Sequence, residues 1–226
     1  MKNNNKVNDV VIQPGKKLYR YNLGKDIPSD WSSEYVNPEY IYPNLGRKNQ
    51  IGAFFFFNNE IASKKTLLQA INKMKEKGSI YEKATITSCS TKSPIRLLDL
   101  SKFDDCAKII YFLCEQGIDV FSDNFISHQR ECSLIELKKD FELLSDNNPT
   151  IRLAGINKIN DFFYYRPHIL CQTLTDFSNG EYFKTILKEK GYEGYIFNEN
   201  PDSNTFCFFN SDKLSPPIHT ILEFRM

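Results

Sequence analysis

The chain has 226 residues, of which 41% are hydrophobic and 25% are charged, and these fractions are ordinary for a globular protein with a packed core. Its 29 lysines and arginines nearly balance 28 acidic residues, so the net charge is only +1. A protein that binds nucleic acid through the phosphates normally has a basic excess. The near-neutral charge therefore argues against a sequence-independent nucleic-acid binder.

The cysteine pattern and the hydropathy pattern give an expectation about location. None of the six cysteines has a partner at the two-residue spacing of a zinc site, and reduced thiols are the simplest interpretation. No apolar run is long enough for a signal peptide or a bilayer crossing. We therefore expect a protein with no membrane contact that acts in a cytoplasm, either its own or one into which it is delivered as an effector.

The first fifty residues contain little regular structure by pattern. Residues 1–16 are polar and include Pro14-Gly15, which predicts a flexible N-terminal arm. Residues 17–21 alternate in polarity and predict a strand. Residues 24–49 contain three prolines and no sustained period, which predicts a long irregular loop.

The rest of the chain mixes short strands with helices. Residues 52–57 are apolar on both faces and predict a central strand, and a helix follows from Glu60 to a stop at Gly78. Further strands are predicted at 84–90, 95–100, 195–197, 205–209 and 219–224, and helices at 102–116, 133–145 and 180–190. The mixture predicts an α+β fold with peripheral helices. We expect one domain over 17–226, with a helical insert at about 102–145.

Several common catalytic motifs are missing from the sequence. There is no glycine-rich phosphate loop, no Gly-x-Ser-x-Gly elbow and no His-Glu-x-x-His zinc motif. If their segment is helical, His128 and Cys132 share a face, but a metal there would still lack two ligands. The sequence therefore predicts no metal site.

Polar residues next to predicted strands are the better candidates for chemistry. Arg20 lies inside the first predicted strand, where it either binds an anion or faces solvent at a sheet edge. Arg47 and Asn49 come just before the apolar strand, and Glu199 follows a late one. Gln172 precedes the helix predicted at 180–190.

Taken in order, these segments resemble the RES domain, whose fold belongs with the ADP-ribosyltransferases. The resemblance covers roughly residues 17–214, and its individual motifs are short. The matching residues are Leu18-Tyr19-Arg20, then Gly46, Arg47, Asn49 and Gly52, then Leu98-Asp99-Leu100, and finally Gln172, Gly191, Glu193, Gly194 and Asn210. The resemblance implies an ADP-ribosyltransferase-like split β-sheet core.

The chain departs from the RES pattern at two positions. The family has a glutamate late in the helix after the apolar strand, where this chain has Gln69. It has a serine at a polar elbow, where this chain has Asn198-Glu199-Asn200, with Ser203 just beyond. These departures favour Glu199 as the single acidic residue of a transferase-type site.

The resemblance implies an enzyme that consumes NAD by breaking the bond between nicotinamide and ribose. Such a glycosyl transfer passes through an oxocarbenium-like transition state. The products would be ADP-ribose on a protein or nucleic-acid acceptor, or free ADP-ribose from hydrolysis. Family members of this kind act as toxins, effectors or defence components, so an antitoxin or immunity protein is an expected partner.

The implied site has a catalytic set and a binding set. The catalytic set is Arg20, Glu199 and Tyr42, with Glu199 accepting a hydrogen bond from the ribose and Arg20 holding the phosphates or the ribose. Tyr40 or Tyr42 is expected to stack on nicotinamide. The NAD-binding set is Arg20, Arg47, Asn49, Tyr40, Ser88, Ser90 and Gln172.

Two other functions also fit the sequence. One is an interaction domain of the same fold that has lost its chemistry, which Gln69 and the missing elbow serine favour. The other is a small ribonuclease toxin using His128, Arg130 or His168, which the near-neutral charge disfavours.

Overall fold

A computed structural model describes residues 9–23, 31, 41–42, 47–48, 53–76, 78, 83–101, 135–165, 180–200 and 203–223. Only the backbone is described at 41–42, 47–48, 135–138, 162–165, 180–183 and 198–200.

The described residues form a mixed sheet with helices around it. Its strands are β1 (Asp9–Ile12), β2 (Lys17–Leu23), β5 (Phe54–Phe57), β6 (Lys83–Ser90), β7 (Ile95–Asp99), β8 (Gly194–Asn200), β9 (Ser203–Phe208) and β10 (Ile218–Glu223). They lie in the order β1-β7-β8-β9-β5-β2-β6-β10, and β7 and β8 are parallel while the other neighbours are antiparallel. The helices are α1 (Glu60–Glu76), α2 (Ile135–Glu142), α3 (Pro149–Tyr165) and α4 (Gly180–Glu189), and a 3-10 turn covers Leu143–Ser145. The predicted α+β class is confirmed, and β5 is central as expected.

The sheet diverges between β2 and β5. These two strands share a single register pair, Tyr19 with Phe57, whereas β2 pairs with β6 over seven residues. The sheet therefore consists of a five-stranded part ending at β5 and a three-stranded part made of β2, β6 and β10.

The two faces of the sheet have different coverings. One face carries a large apolar cluster that includes Leu18, Phe54 and Phe56. Trp31 packs edge-on against both phenylalanines, with ring centroids 5.6 and 5.5 Å away, and its indole N–H donates to the carbonyl of Ser215 at 2.7 Å. On the opposite face, Leu67 and Ile71 of α1 pack on Tyr19, Tyr21, Leu23, Ala84, Ile86 and Leu222.

The predicted flexible arm at 1–16 is wrong for the residues that the structure describes. Asp9–Ile12 is strand β1, which pairs with β7 along four residues, and Ile12 is buried. Asp9 accepts hydrogen bonds from the Nε of Arg96 at 3.1 Å and from the hydroxyl of Tyr192. Four residues carry too weak an alternation to predict a strand, and the partners of Asp9 lie far along the chain. Residues 1–8 lie outside the described part.

Two further sequence expectations need correction. The loop predicted at 24–49 contains β3 (Ile41–Tyr42) and β4 (Arg47–Lys48), which pair as a two-stranded sheet. The helix predicted at 133–145 corresponds to α2 and the 3-10 turn, and α3, which begins at Pro149, was not predicted. Proline suits the first turn of a helix, and the Asn148 side chain accepts a hydrogen bond from the Thr150 N–H at 2.9 Å. The helix predicted at 102–116, and with it most of the insert, lies outside the described residues.

The turn at Gly191–Gly194 has a structural role. Gly191 has a φ of +77°, and a Cβ on Gly194 would lie 1.9 Å from the carbonyl oxygen of Cys207. The Glu193 carboxylate accepts a hydrogen bond from the Arg96 N–H at 3.2 Å and lies 2.7 Å from the Nζ of Lys213. The turn therefore joins β7, β8 and the end of β9.

Among the helices that the structure describes, none combines the length and hydropathy that a bilayer crossing requires.

Gly194→Ala tests the close approach of β8 to β9. A methyl group there meets backbone atoms that cannot move aside, so we expect a loss of about 3 kcal/mol or more in the free energy of unfolding. Gly78→Ala is the matched control, because Gly78 has a φ of +78° with open space around its Cβ position. That control is expected to cost about 1 kcal/mol. Urea unfolding measures both, and equal losses would contradict the packing argument.

Tyr192 gives a pH test of the attachment of β1. Burial, followed by the hydrogen bond to Asp9, raises the pKa of Tyr192 from 10.0 to about 12. Because the pKa is higher in the folded state, this contribution to stability is complete below pH 10.0 and is lost as the pH rises through about 12. The free energy of unfolding should thus fall more steeply over this range in the wild type than in Tyr192→Phe. Parallel curves would refute the assignment.

Candidate functional site

A row of polar residues crosses the three-stranded part of the sheet. Arg20 of β2 lies opposite Thr87 of β6, and Thr87 lies opposite His219 of β10. Directly opposed residues of antiparallel strands place their side chains on the same face. This face also carries Leu18 and Cys89, which belong to the apolar cluster.

Hydrogen bonds connect this row through Thr87. The Thr87 Oγ1 lies 2.9 Å from the Nδ1 of His219, and the Asn22 amide donates to the same oxygen at 3.4 Å. Thr87 is fully buried, whereas Arg20, Asn22 and His219 are partly exposed. The buried hydroxyl thus links two side chains that reach solvent.

The Arg20 guanidinium lies close to the sheet. Its Nε and Nη1 atoms are shielded from solvent. Burial raises the pKa of Cys89 to about 12, and the positive charge of Arg20 acts in the opposite direction, which places that charge within electrostatic reach of the thiol. A guanidinium is a planar fork of N–H donors, a geometry that suits phosphate or carboxylate oxygens.

An aromatic cluster adjoins the polar row. β5, the neighbour of β2 across the divergence of the sheet, contributes Phe54 and Phe56 to the same face as Leu18, and Trp31 packs against both phenylalanines. Phe54 and Phe56 are buried, and Trp31 is partly exposed, so a cationic group, hydrogen-bonding side chains and one accessible aromatic ring lie on one face. Together they could bind a ligand with an anionic part and a planar part.

Ser88 and Ser90 were expected to line the same site as Arg20. The register instead pairs Ser88 with Tyr19 and Ser90 with Lys17, one position away from Thr87 and Cys89 on β6. Alternation therefore places both serines on the opposite face from Arg20. The structure does not bring them to the polar row.

Glu199 lies on β8, in the five-stranded part of the sheet. The register of β8 with β9 passes from Asn198–Asn204 to Asn200–Ser203, so Glu199 is the extra residue of a β-bulge. β9 and β5 separate β8 from β2. The three strand spacings amount to about 14 Å across the sheet, so the register does not place Glu199 next to Arg20.

The remaining predicted residues fall in the second sheet or outside the described part. Tyr42 and Arg47 lie directly opposite each other in the pairing of β3 with β4. Tyr40, Asn49 and Gln172 lie outside the described residues. Gln69, where the family pattern has a glutamate, is exposed on α1.

Sequence reasoning missed Asn22 and Thr87 and gave His219 no role. The alternation of Thr85 and Thr87 with apolar residues was visible, but only the strand register shows which residues lie opposite them. Among the residues that the structure describes, no group of His, Cys, Asp and Glu side chains could hold a metal ion.

Comparisons with known proteins add little to this picture. No protein-family model matches the chain, and no curated protein matches it. A solved structure, the crystal structure of the M. tuberculosis MbcT-MbcA toxin-antitoxin complex, matches 94% of this chain and 87% of that chain, with a TM-score of 0.40 and 9% identity. A similarity this distant supports neither a family assignment nor a function.

Two buried threonines test the importance of the hydrogen bonds to Thr87. Thr205 is 1% exposed, and within the described part of the chain its hydroxyl has no hydrogen-bond partner. Thr205→Val removes that unsatisfied group and should raise the free energy of unfolding by about 1 kcal/mol. Thr87→Val leaves His219 and Asn22 without their shared partner and should cost about 1–2 kcal/mol. Urea unfolding measures both changes, and the same sign for both would contradict this assignment.

Proposed function

We propose that this protein cleaves the nicotinamide–ribose bond of NAD. The observation that carries the proposal is the position of Arg20, on a sheet face with Asn22, Thr87 and His219 and next to an aromatic cluster covered by Trp31. The proposed reaction is the one that the resemblance of the sequence to RES domains implies. The site provides a cation for the pyrophosphate, hydrogen-bonding groups beside that cation, and the partly exposed ring of Trp31 for a planar group.

The reaction requires few catalytic groups from the protein. The glycosidic bond breaks with positive charge developing on the ribose, and nicotinamide leaves as a neutral molecule. An acceptor near the ribose stabilises that charge, and a fixed cation holds the pyrophosphate in place. In this proposal Arg20 binds the pyrophosphate and Glu199 faces the ribose.

The separation of the strands that carry these two residues suits an extended ligand. Three strand spacings, about 14 Å, separate their strands, so one phosphate cannot contact both residues. A dinucleotide is long enough to span a separation of this size. The bulge at Glu199 also supports this proposal, because bulges commonly redirect a side chain next to an active site. Tyr42 and Arg47, which are paired in the second sheet, are proposed to cover the nicotinamide end.

The proposal includes two outcomes for the ADP-ribosyl group. Water as acceptor gives free ADP-ribose, and a protein or nucleic-acid acceptor gives a modified macromolecule. Either activity depletes NAD, which is why we propose a toxin-like role with an antitoxin or immunity protein as partner.

Nicotinamide release from NAD, followed by chromatography, tests the proposed function. Arg20→Ala should lower kcat/KM about 100-fold or more, because the pyrophosphate loses its fixed cation. Arg20→Lys should recover only part of the activity, since lysine lacks the guanidinium fork. Arg152→Lys is the matched control, because the Arg152 side chain bonds to the carbonyls of Asp146 and Asn147 before α3. It should retain wild-type activity.

Further arms of the experiment separate the alternatives. Glu199→Gln should lower kcat about 100-fold with little change in KM, since the acceptor acts mainly in the transition state. NAD labelled in its ADP-ribose part, incubated with cell lysate, distinguishes transfer from hydrolysis, because only transfer leaves label on macromolecules. Absence of nicotinamide release with and without lysate would refute the proposed function. Degradation of RNA that depends on His128 would favour the ribonuclease alternative.

A further inference from the structure

Thr87 is a buried hydroxyl placed between two side chains of the polar row. Its exposed fraction is 0%, and its oxygen contacts the Asn22 amide and the His219 ring. A threonine hydroxyl has one proton to donate and lone pairs that accept. A buried hydroxyl that fails to donate loses the free energy of a hydrogen bond, so the destination of this proton matters.

The two contacts of the Thr87 oxygen indicate which group accepts its hydroxyl proton. The Asn22 Nδ2 is a donor, so it occupies a lone pair of the Thr87 oxygen. The other contact is the His219 Nδ1 at 2.9 Å, which can accept the hydroxyl proton. An Nδ1 that accepts carries no proton of its own, and a neutral imidazole then has its proton on Nε2.

We propose that Thr87 is a positioning residue that holds His219 as the neutral Nε2–H tautomer, so that the ring donates a hydrogen bond to the dinucleotide bound at Arg20. The ligand part of this inference rests on the proposed function, whereas the tautomer does not. Arg20 supplies the positive charge of the site, and His219, two strands away in the same row, adds a neutral donor. Because the ring is already oriented, little side-chain entropy is lost when the ligand binds.

Nitrogen NMR of the full chain with 15N-labelled histidine tests the tautomer. The sequence has three histidines, so the spectrum of His219→Gln assigns the His219 signals by difference. At a pH where the ring is neutral, the wild type should show a protonated Nε2 and an unprotonated Nδ1. Thr87→Val should shift the Nδ1 signal and produce a mixture of tautomers, and Thr87→Ser should restore the wild-type pattern.

Thr85→Val is the matched control. Thr85 is also buried, and it lies two residues before Thr87 on the same face of β6. Its substitution should leave the His219 signals unchanged. A predominantly Nδ1-protonated ring in the wild type would overturn the inference, because Thr87 would then donate elsewhere. An unchanged spectrum in Thr87→Val would also overturn it.

Titration with NAD tests the ligand part. The His219 Nε2 signal should shift on NAD binding. Thr87→Val should raise KM for NAD about 3- to 10-fold with kcat little changed, which corresponds to one lost hydrogen bond, and Thr87→Ser should reverse this rise. If NAD is cleaved in an Arg20-dependent way while the His219 signals do not shift, the ligand part of this inference is wrong and the proposed function is supported. If NAD neither binds nor is cleaved, both the proposed function and the ligand part of this inference are wrong. The tautomer measurement then still tests whether Thr87 positions the His219 ring.

Discussion

The site depends on the register of β6 with its two neighbours. Because side chains alternate between the faces of a strand, a slip of one residue would move Arg20 to the opposite face from Thr87. The register is held at the end of β6, where Thr91 accepts hydrogen bonds from the Gly15 N–H at 2.8 Å and the Lys16 N–H at 3.0 Å and its hydroxyl donates to the Gln13 carbonyl at 2.7 Å. The turn before β2 therefore positions the polar row.

The segments that resemble the RES domain have different physical roles in the structure. Leu18 and Arg20 share a face of β2, so the same strand contributes to the core and to the polar row. The Gly191–Gly194 turn, by contrast, is accounted for by close packing and by the contacts of Glu193 with Arg96 and Lys213. Glu193 therefore stabilises the fold, and Glu199 remains the acidic residue of the proposed reaction.

The chemistry proposed here relies on a few fixed groups on a nearly neutral chain. The net charge is +1, so long-range attraction of an anionic ligand is weak, and recognition depends on short contacts. The two described cysteines add no reactive group, because burial raises the pKa of both Cys89 and Cys207 well above neutral pH. Oriented hydrogen bonds beside one guanidinium are consistent with a reaction that needs little acid or base catalysis.

The sequence by itself determined the class of the fold and most of its elements, because the period of apolar residues and the glycine and asparagine signals are local. It also singled out Arg20, since an arginine within a strand is conspicuous. Tertiary structure alone decided that Asp9 anchors a strand, that Ser88 and Ser90 face away from Arg20, and that Thr87 and His219 lie in the same row as Arg20. These facts depend on which strands pair and in what register, and residues 65 to 132 positions apart in the chain meet there. Contacts over such separations leave no periodic signal in the sequence.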